Sequence, residues 1–182
     1  MFTERTVIFT NENDRNGEKD LSGGCAIKTT ETDQRGTTEI MYRILLVDDE
    51  ILVRDAIREN IDWKAMDCEL VGDCDNGKAA AEFVQTHPVD IVLTDILMPY
   101  MDGMELSRFL HDNYPDIVIV IFSGFGEFEY AKKAIQYGVS EYMLKPVTAM
   151  ELRNVIGKMK EKVDQQRKEK EKLERLTQTS EN

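Results

Sequence analysis

Five polar residues that directly follow short apolar runs could together perform phosphoryl chemistry. Asp48 and Asp49 follow Ile44-Leu45-Leu46-Val47, and Asp95 follows Ile91-Val92-Leu93-Thr94. Ser123 follows Val118 to Phe122, and Lys145 follows Tyr142-Met143-Leu144. If those runs are parallel strands, all five residues lie at the carboxyl edge of one sheet, where open α/β proteins bind ligands. Three carboxylates held that close repel one another and need a compensating cation. Mg²⁺ suits the set, because it favours octahedral oxygen coordination and keeps waters, so one or two carboxylates, a backbone carbonyl and a phosphate oxygen satisfy it. No Ser/His/Asp set is present, which leaves a carboxylate as the nucleophile. Asp95 would attack a phosphoryl group while Mg²⁺ and Lys145 neutralise its oxygens, giving an acyl phosphate.

The elements that must position these residues alternate strand-sized apolar runs with amphipathic helix-length segments, the pattern of βαβ units and a parallel sheet covered on both faces. The strands read as Arg43 to Val47, Leu70 to Asp73, Ile91 to Thr94, Val118 to Phe122 and Glu141 to Leu144. The helices read as Ile51 to Asn60, Gly77 to Thr86, Gly103 to Asn113, Glu127 to Tyr137 and Ala149 onward. Asn76 is placed to cap a helix, Gly138 to end one in the left-handed region, and Thr148-Ala149-Met150-Glu151 to form a capping box. His87-Pro88 and Tyr114-Pro115 stand where helices should stop. In the last helix Leu152, Ile156, Met159, Val163, Gln166, Lys170 and Leu173 are spaced by four and three, a heptad seam that turns polar, so it reads as a coiled-coil stem or a solvated helical tail.

The same residues carry a resemblance. Ile44-Leu45-Leu46-Val47-Asp48-Asp49-Glu50, then Asp90 to Pro99 with Asp102-Gly103, then Ser123-Gly124, then Tyr142-Met143-Leu144-Lys145-Pro146 resemble, in order and at matching separations, the response-regulator receiver family. Ile61-Asp62-Trp63 and the run from Ser123 to Ala131 look like the YesN-like subgroup whose receivers precede an AraC-type helix-turn-helix domain. The resemblance implies a flavodoxin-like, doubly wound, five-stranded parallel (βα)5 sheet with an extended C-terminal helix. By position it makes Asp95 the phosphorylated residue, Asp49 a direct Mg²⁺ ligand and Asp48 a ligand largely through water, with the Leu97 backbone carbonyl completing the set. Ser123 and Lys145 would bind phosphoryl oxygens, Ser123 and Tyr142 would form the switch, and Lys145-Pro146 would be cis.

The implied function is a phosphorelay switch. A sensor histidine kinase phosphorylates Asp95, and the surface made by the fourth helix, fifth strand and fifth helix then controls homodimerisation and a DNA-binding output domain. Residues 41–160 would be the receiver, 1–40 a disordered tail or extension, and 161–182 a helical stem toward an output domain absent from the chain. The alternative is a stand-alone phosphorelay carrier. Turnover would be limited to self-phosphorylation from a phosphodonor and autodephosphorylation, slow because Leu97 and Phe125 cannot orient a hydrolytic water.

Composition sets limits. With a net charge of -12 the chain itself is not built to bind nucleic acid, and DNA would be reached only through the output domain. Three cysteines, Cys25, Cys68 and Cys74, form no CxxC pair and read as reduced thiols of a cytoplasmic protein, Cys68 and Cys74 as packing residues. No apolar run approaches the roughly 20 residues of a membrane span. His87 and His111 fall at helix ends away from the polar edge and read as surface or capping residues.

Overall fold

Runs that are apolar at every position have no face to give to water, and they form the middle of the sheet. The computed structural model describes residues 26–27, 41–124, 130 and 134–179. Its strands are β1 (Tyr42–Val47), β2 (Cys68–Cys74), β3 (Ile91–Asp95), β4 (Val118–Ser123) and β5 (Glu141–Leu144). They pair in parallel in the order 2-1-3-4-5. Between them lie α1 (Ile51–Asn60), α2 (Gly77–Thr86), α3 (Gly103–Asn113), α4 (helical at 130 and 134–136) and α5 (Ala149–Thr179). The parallel sheet expected from the βα alternation is present, in the flavodoxin-like arrangement that the family resemblance implies.

Successive strand residues point to opposite faces, so alternate positions of β1 feed two cores. Ile44 and Leu46 join Ile91, Leu93, Val120 and Phe122 beneath Val53 and Ile57 of α1 and Leu152, Ile156, Met159 and Val163 of α5. Leu45 and Val47 join Val92, Ile119 and Ile121 beneath Phe83 of α2 and Leu106 and Leu110 of α3. The first four seam positions of the last helix are therefore spent on the domain's own core. Burial of one such side chain contributes about 1.5–3 kcal/mol.

The expected end signals operate. Asn76 Oδ1 accepts the Ala79 N–H at 2.9 Å. The Thr148 N–H donates to Glu151 at 2.9 Å while Thr148 Oγ1 accepts the Glu151 N–H at 3.2 Å. Gly138 has φ +69°, and a Cβ there would come within 2.6 Å of the His111 ring. His87 caps α2, its ring stacked on Phe83 with centroids 4.2 Å apart.

Some details differ. Four strands run one to three residues beyond the expected ranges, because Tyr42, Cys68, Glu69, Cys74, Asp95 and Ser123 continue the ladder through backbone bonds to which side-chain polarity is indifferent. Within the segment read as a tail, Ala26–Ile27 adds antiparallel to β2, with Ala26 opposite Asp73. Cys74, next to that pair, is disulfide-bonded rather than a reduced thiol, whereas Cys68 is free and buried. The rest of the 1–40 reading, Phe125, most of the fourth helix and residues 180–182 lie outside the described residues. Among the described residues no helix is long and apolar enough to cross a membrane.

Candidate functional site

The site grows from the carboxyl ends of β1 and β3. These strands pair from Ile44 with Ile91 to Val47 with Thr94, so one step further on Asp48 and Asp95 emerge side by side. The Asp48 N–H donates to the Cys74 carbonyl at 3.0 Å, extending the ladder, and its carboxylate accepts the Glu50 N–H at 2.9 Å. The turn into α1 is thereby fixed with Asp48 facing inward, fully buried, and Asp49 exposed. After β3 the chain must fold back tightly. The Gly103 N–H donates to the Ile96 carbonyl at 2.7 Å, and a Cβ on Gly103 would fall 2.0 Å from the Asp95 carbonyl. Asp102 then caps α3, accepting from the Met104 and Glu105 N–H groups, each at 2.8 Å.

One carboxylate oxygen from each of Asp48, Asp49 and Asp95 lies within 4.8 Å of the others. Lys145 reaches them from the end of β5, its Nζ 2.8 Å from Asp48 Oδ2 and 3.4 Å from Asp95 Oδ1, with its side chain 4% exposed. Burial opposes the lysine's charge, but the Asp48 and Asp95 carboxylates outweigh it and hold Lys145 above the ordinary lysine value. The Lys145 N–H donates to the Ser123 carbonyl at 2.7 Å, tying β5 to the end of β4. The Lys145–Pro146 peptide bond is cis. Ser123 is fully buried, and its Oγ has no hydrogen-bond partner among the described residues. An unpaired buried hydroxyl is costly in a finished core, and such exceptions cluster at sites built for another partner.

Asp48, Asp49, Asp95 and Lys145 are thus brought together, with Ser123 on the strand next to Asp95. Leu97 lies two residues after Asp95 in the loop, 38% exposed. Tyr142 is half-buried on β5, against the core under α2 and α3. Two residues bound to this edge were not foreseen. Arg54 donates through Nη1 to the Asp48 carbonyl and through Nε to Asp73 Oδ2 at 2.9 Å. Asp73, closing the run from Leu70 and buried within its strand, was the available signal, since a buried carboxylate requires a cationic partner. All the ligand atoms offered by the trio are carboxylate oxygens, the donor type of a hard divalent cation such as Mg²⁺.

An open parallel sheet with an acidic pocket and a lysine at its carboxyl edge defines the signalling-receiver class. Residues 44–157 match the model of the response regulator receiver domain, and the chain belongs to that family. It is 42% identical over 112 residues to YesN of Bacillus subtilis, an uncharacterised transcriptional regulatory protein, covering 62% of this chain and 30% of YesN. The receiver domain of AraT, a response regulator of Geobacillus stearothermophilus, is 37% identical with a TM-score of 0.66, covering 70% of this chain and 98% of that one. A two-component transcriptional regulator AraC of Clostridium phytofermentans is also 37% identical, with a TM-score of 0.64 and coverage of 68% and 96%. The chain spans less than half the length of the curated regulators it matches, and no output domain falls in the matched region.

Proposed function

We propose that Asp95 accepts a phosphoryl group from a histidine kinase and that the resulting acyl phosphate resets a surface controlling homodimerisation and a transcriptional output domain. The observation that carries the reading is Lys145 Nζ set between Asp48 and Asp95 at 2.8 and 3.4 Å, beside the unpaired Ser123 hydroxyl. An Asp95 oxygen attacks phosphorus, the bond to the donor breaks, and the donor leaves with its electron pair. Lys145 turns from Asp95 to one phosphoryl oxygen, and the Ser123 hydroxyl donates to another, which are charge-assisted bonds of the stronger kind. Asp48, Asp49, Asp95 and the Leu97 carbonyl would hold Mg²⁺, which when bound offsets the carboxylate charge and draws charge from the phosphoryl oxygens.

Movement of Ser123 toward the phosphoryl group frees space beside β4, and the half-buried Tyr142 turns into it. The surface of α4, β5 and α5 then changes shape. Ile135, Leu144 and Met150 on those elements are 78%, 57% and 72% exposed, an apolar set suited to pairing with a second copy. A switch of this kind needs only a few kcal/mol of differential stabilisation.

Intact mass after incubation with Mg²⁺ and a small phosphodonor such as phosphoramidate tests the chemistry. One phosphoryl group should add to the native chain and none to Asp95→Asn. Failure of the native chain to gain mass, or undiminished gain in the variant, refutes the assignment. Sedimentation of the same samples should show more dimer after phosphorylation, and a loss of that gain in Leu144→Glu.

A further inference from the structure

The phosphoryl-accepting reading needs Asp48 and Asp49 to present their carboxylates from the turn that enters α1. Glu50, at the N-cap of α1, makes no side-chain cap hydrogen bond, and the first turn of α1 carries no acidic residue. Beside the Asp48 carboxylate's bond to the Glu50 N–H, the turn is held by Arg54, one turn into α1. Its guanidinium donates to the Asp48 carbonyl and, at 2.9 Å, to Asp73 Oδ2 on β2. Both side chains are nearly buried, 11% exposed for Arg54 and 9% for Asp73. Arg58 closes the other side of Asp73, its Nη2 2.8 Å from Oδ1.

The Asp48 backbone is therefore clamped from two directions. Its N–H is bound to the end of β2 through the Cys74 carbonyl, and its C=O is bound to the same strand through Arg54 and Asp73. The carbonyl belongs to the peptide joining Asp48 to Asp49, so its direction sets the direction in which Asp49 leaves the strand. Because the guanidinium is paired with Asp73, its charge is largely neutralised before it reaches the acidic trio, and its contribution is geometric. A planar fork can hold a carbonyl and a carboxylate at once, which an ammonium on a flexible stem does poorly.

We infer that Arg54, anchored by Asp73, is a positioning residue that orients the Asp48–Asp49 peptide for divalent-cation binding. This rests on the phosphoryl-accepting reading of the pocket. The test titrates Mg²⁺ into the full chain by calorimetry and follows the Asp49 amide by ¹⁵N NMR, for the native protein, Arg54→Met, Arg54→Lys and the control Arg58→Lys. Half-saturation should need about tenfold more Mg²⁺ in Arg54→Met and severalfold more in Arg54→Lys, each with a displaced Asp49 amide resonance in the metal-free state. Arg58→Lys, which touches Asp73 but not Asp48, should stay within twofold of the native value.

If Arg54→Met does not fold, Arg54→Lys carries the test alone. Native half-saturation in Arg54→Lys would show that charge suffices and overturns the inference, as does an Arg54→Met that binds Mg²⁺ like the native chain. Phosphorylation of the native chain in the mass assay separates the two failures. A native chain that binds no Mg²⁺ and gains no phosphoryl group overturns the reading of the pocket, and this inference with it.

Discussion

Replacing Asp95 by Asn should make the metal-free protein more stable while abolishing its proposed chemistry. Asp48, Asp49 and Asp95 offer oxygens within 4.8 Å of one another, against a single ammonium, Lys145 Nζ, 3.4 Å from Asp95. With an effective dielectric of about 20, each carboxylate pair at that separation repels by about 3.5 kcal/mol, and the Lys145 to Asp95 attraction is about 5 kcal/mol. Substitution removes two repulsions and one attraction, a net gain of about 2 kcal/mol. The near-isosteric amide leaves packing unchanged. For a folded body of this size such a gain raises Tm by roughly 5–8 °C.

Thermal melts in chelator-treated buffer, repeated with increasing Mg²⁺, measure this directly. The native chain should gain stability with Mg²⁺, by about 2.7 kcal/mol at one hundred times Kd, and Asp95→Asn should gain less, so that the two curves converge or cross. An Asp95→Asn melt at or below the native one without metal would show that the lysine's attraction exceeds the carboxylate repulsion, and would refute the charge balance assigned to the pocket.

Three further outcomes follow from particular contacts. Tyr42 Oη donates to Asp164 Oδ1 at 2.6 Å, and burial together with that bond pushes the phenol up to about 12, so its stabilisation is complete below pH 10 and lost as pH rises from there to 12. Tyr42→Phe should cost about 1 kcal/mol at pH 7 in urea melts and flatten the alkaline loss; an equally steep loss would place the titrating group elsewhere. Tyr100 is 87% exposed at φ +66°, so Tyr100→Asn should stabilise by about 0.5–1 kcal/mol, and a lower urea midpoint would show that its ring makes a compensating contact. Leu97→Asn places an amide two residues from Asp95 that can orient water, and decay of the phosphorylated chain, followed by intact mass, should quicken severalfold; an unchanged decay would remove Leu97 from the determinants of lifetime.

Where local rules act alone, the sequence was readable. The limits of α1, α2 and α3 coincide with the expected ones, α2 beginning at the Asn76 cap and α2 and α3 stopping at His87-Pro88 and Tyr114-Pro115, signals legible in a few residues. The polar edge was readable for a related reason, since apolar runs locate the strands and their carboxyl ends follow by counting. Arg54 and Asp73 were not, because their pairing joins residues 19 apart through a parallel crossover that no local pattern encodes. The same holds for the last helix. Its heptad spacing is real, but spacing alone does not tell whether the seam faces another chain or the domain's own sheet, and here it faces the sheet.

That outcome changes what the helical stem can do. Past Val163, α5 stays fastened to the amino edge of the sheet, opposite the acidic pocket. Arg167 Nη2 pairs with Asp90 Oδ1 at 2.9 Å, Lys170 Nζ pairs with Asp116 Oδ2 at 3.0 Å, and Lys160 and Arg167 lie over the Tyr42 ring, 5.0 and 5.4 Å from its centroid. Asp90 is itself held by Arg43 at 3.0 Å; burial would raise its carboxyl, but the Arg43 bonds prevail and hold it below the ordinary aspartate value. One helix therefore starts beside Lys145 at the pocket edge and is pinned at the far edge of the same sheet. Leu152 to Val163 are not free to form a coiled coil, and Leu173 and Leu176, 64% and 61% exposed, carry an apolar stripe beyond the pinned region. Pairing of two receivers would therefore use another surface, and the exposed Leu144 and Met150 at the pocket end, with Ile135 toward the other end of α4, are apolar side chains able to supply it.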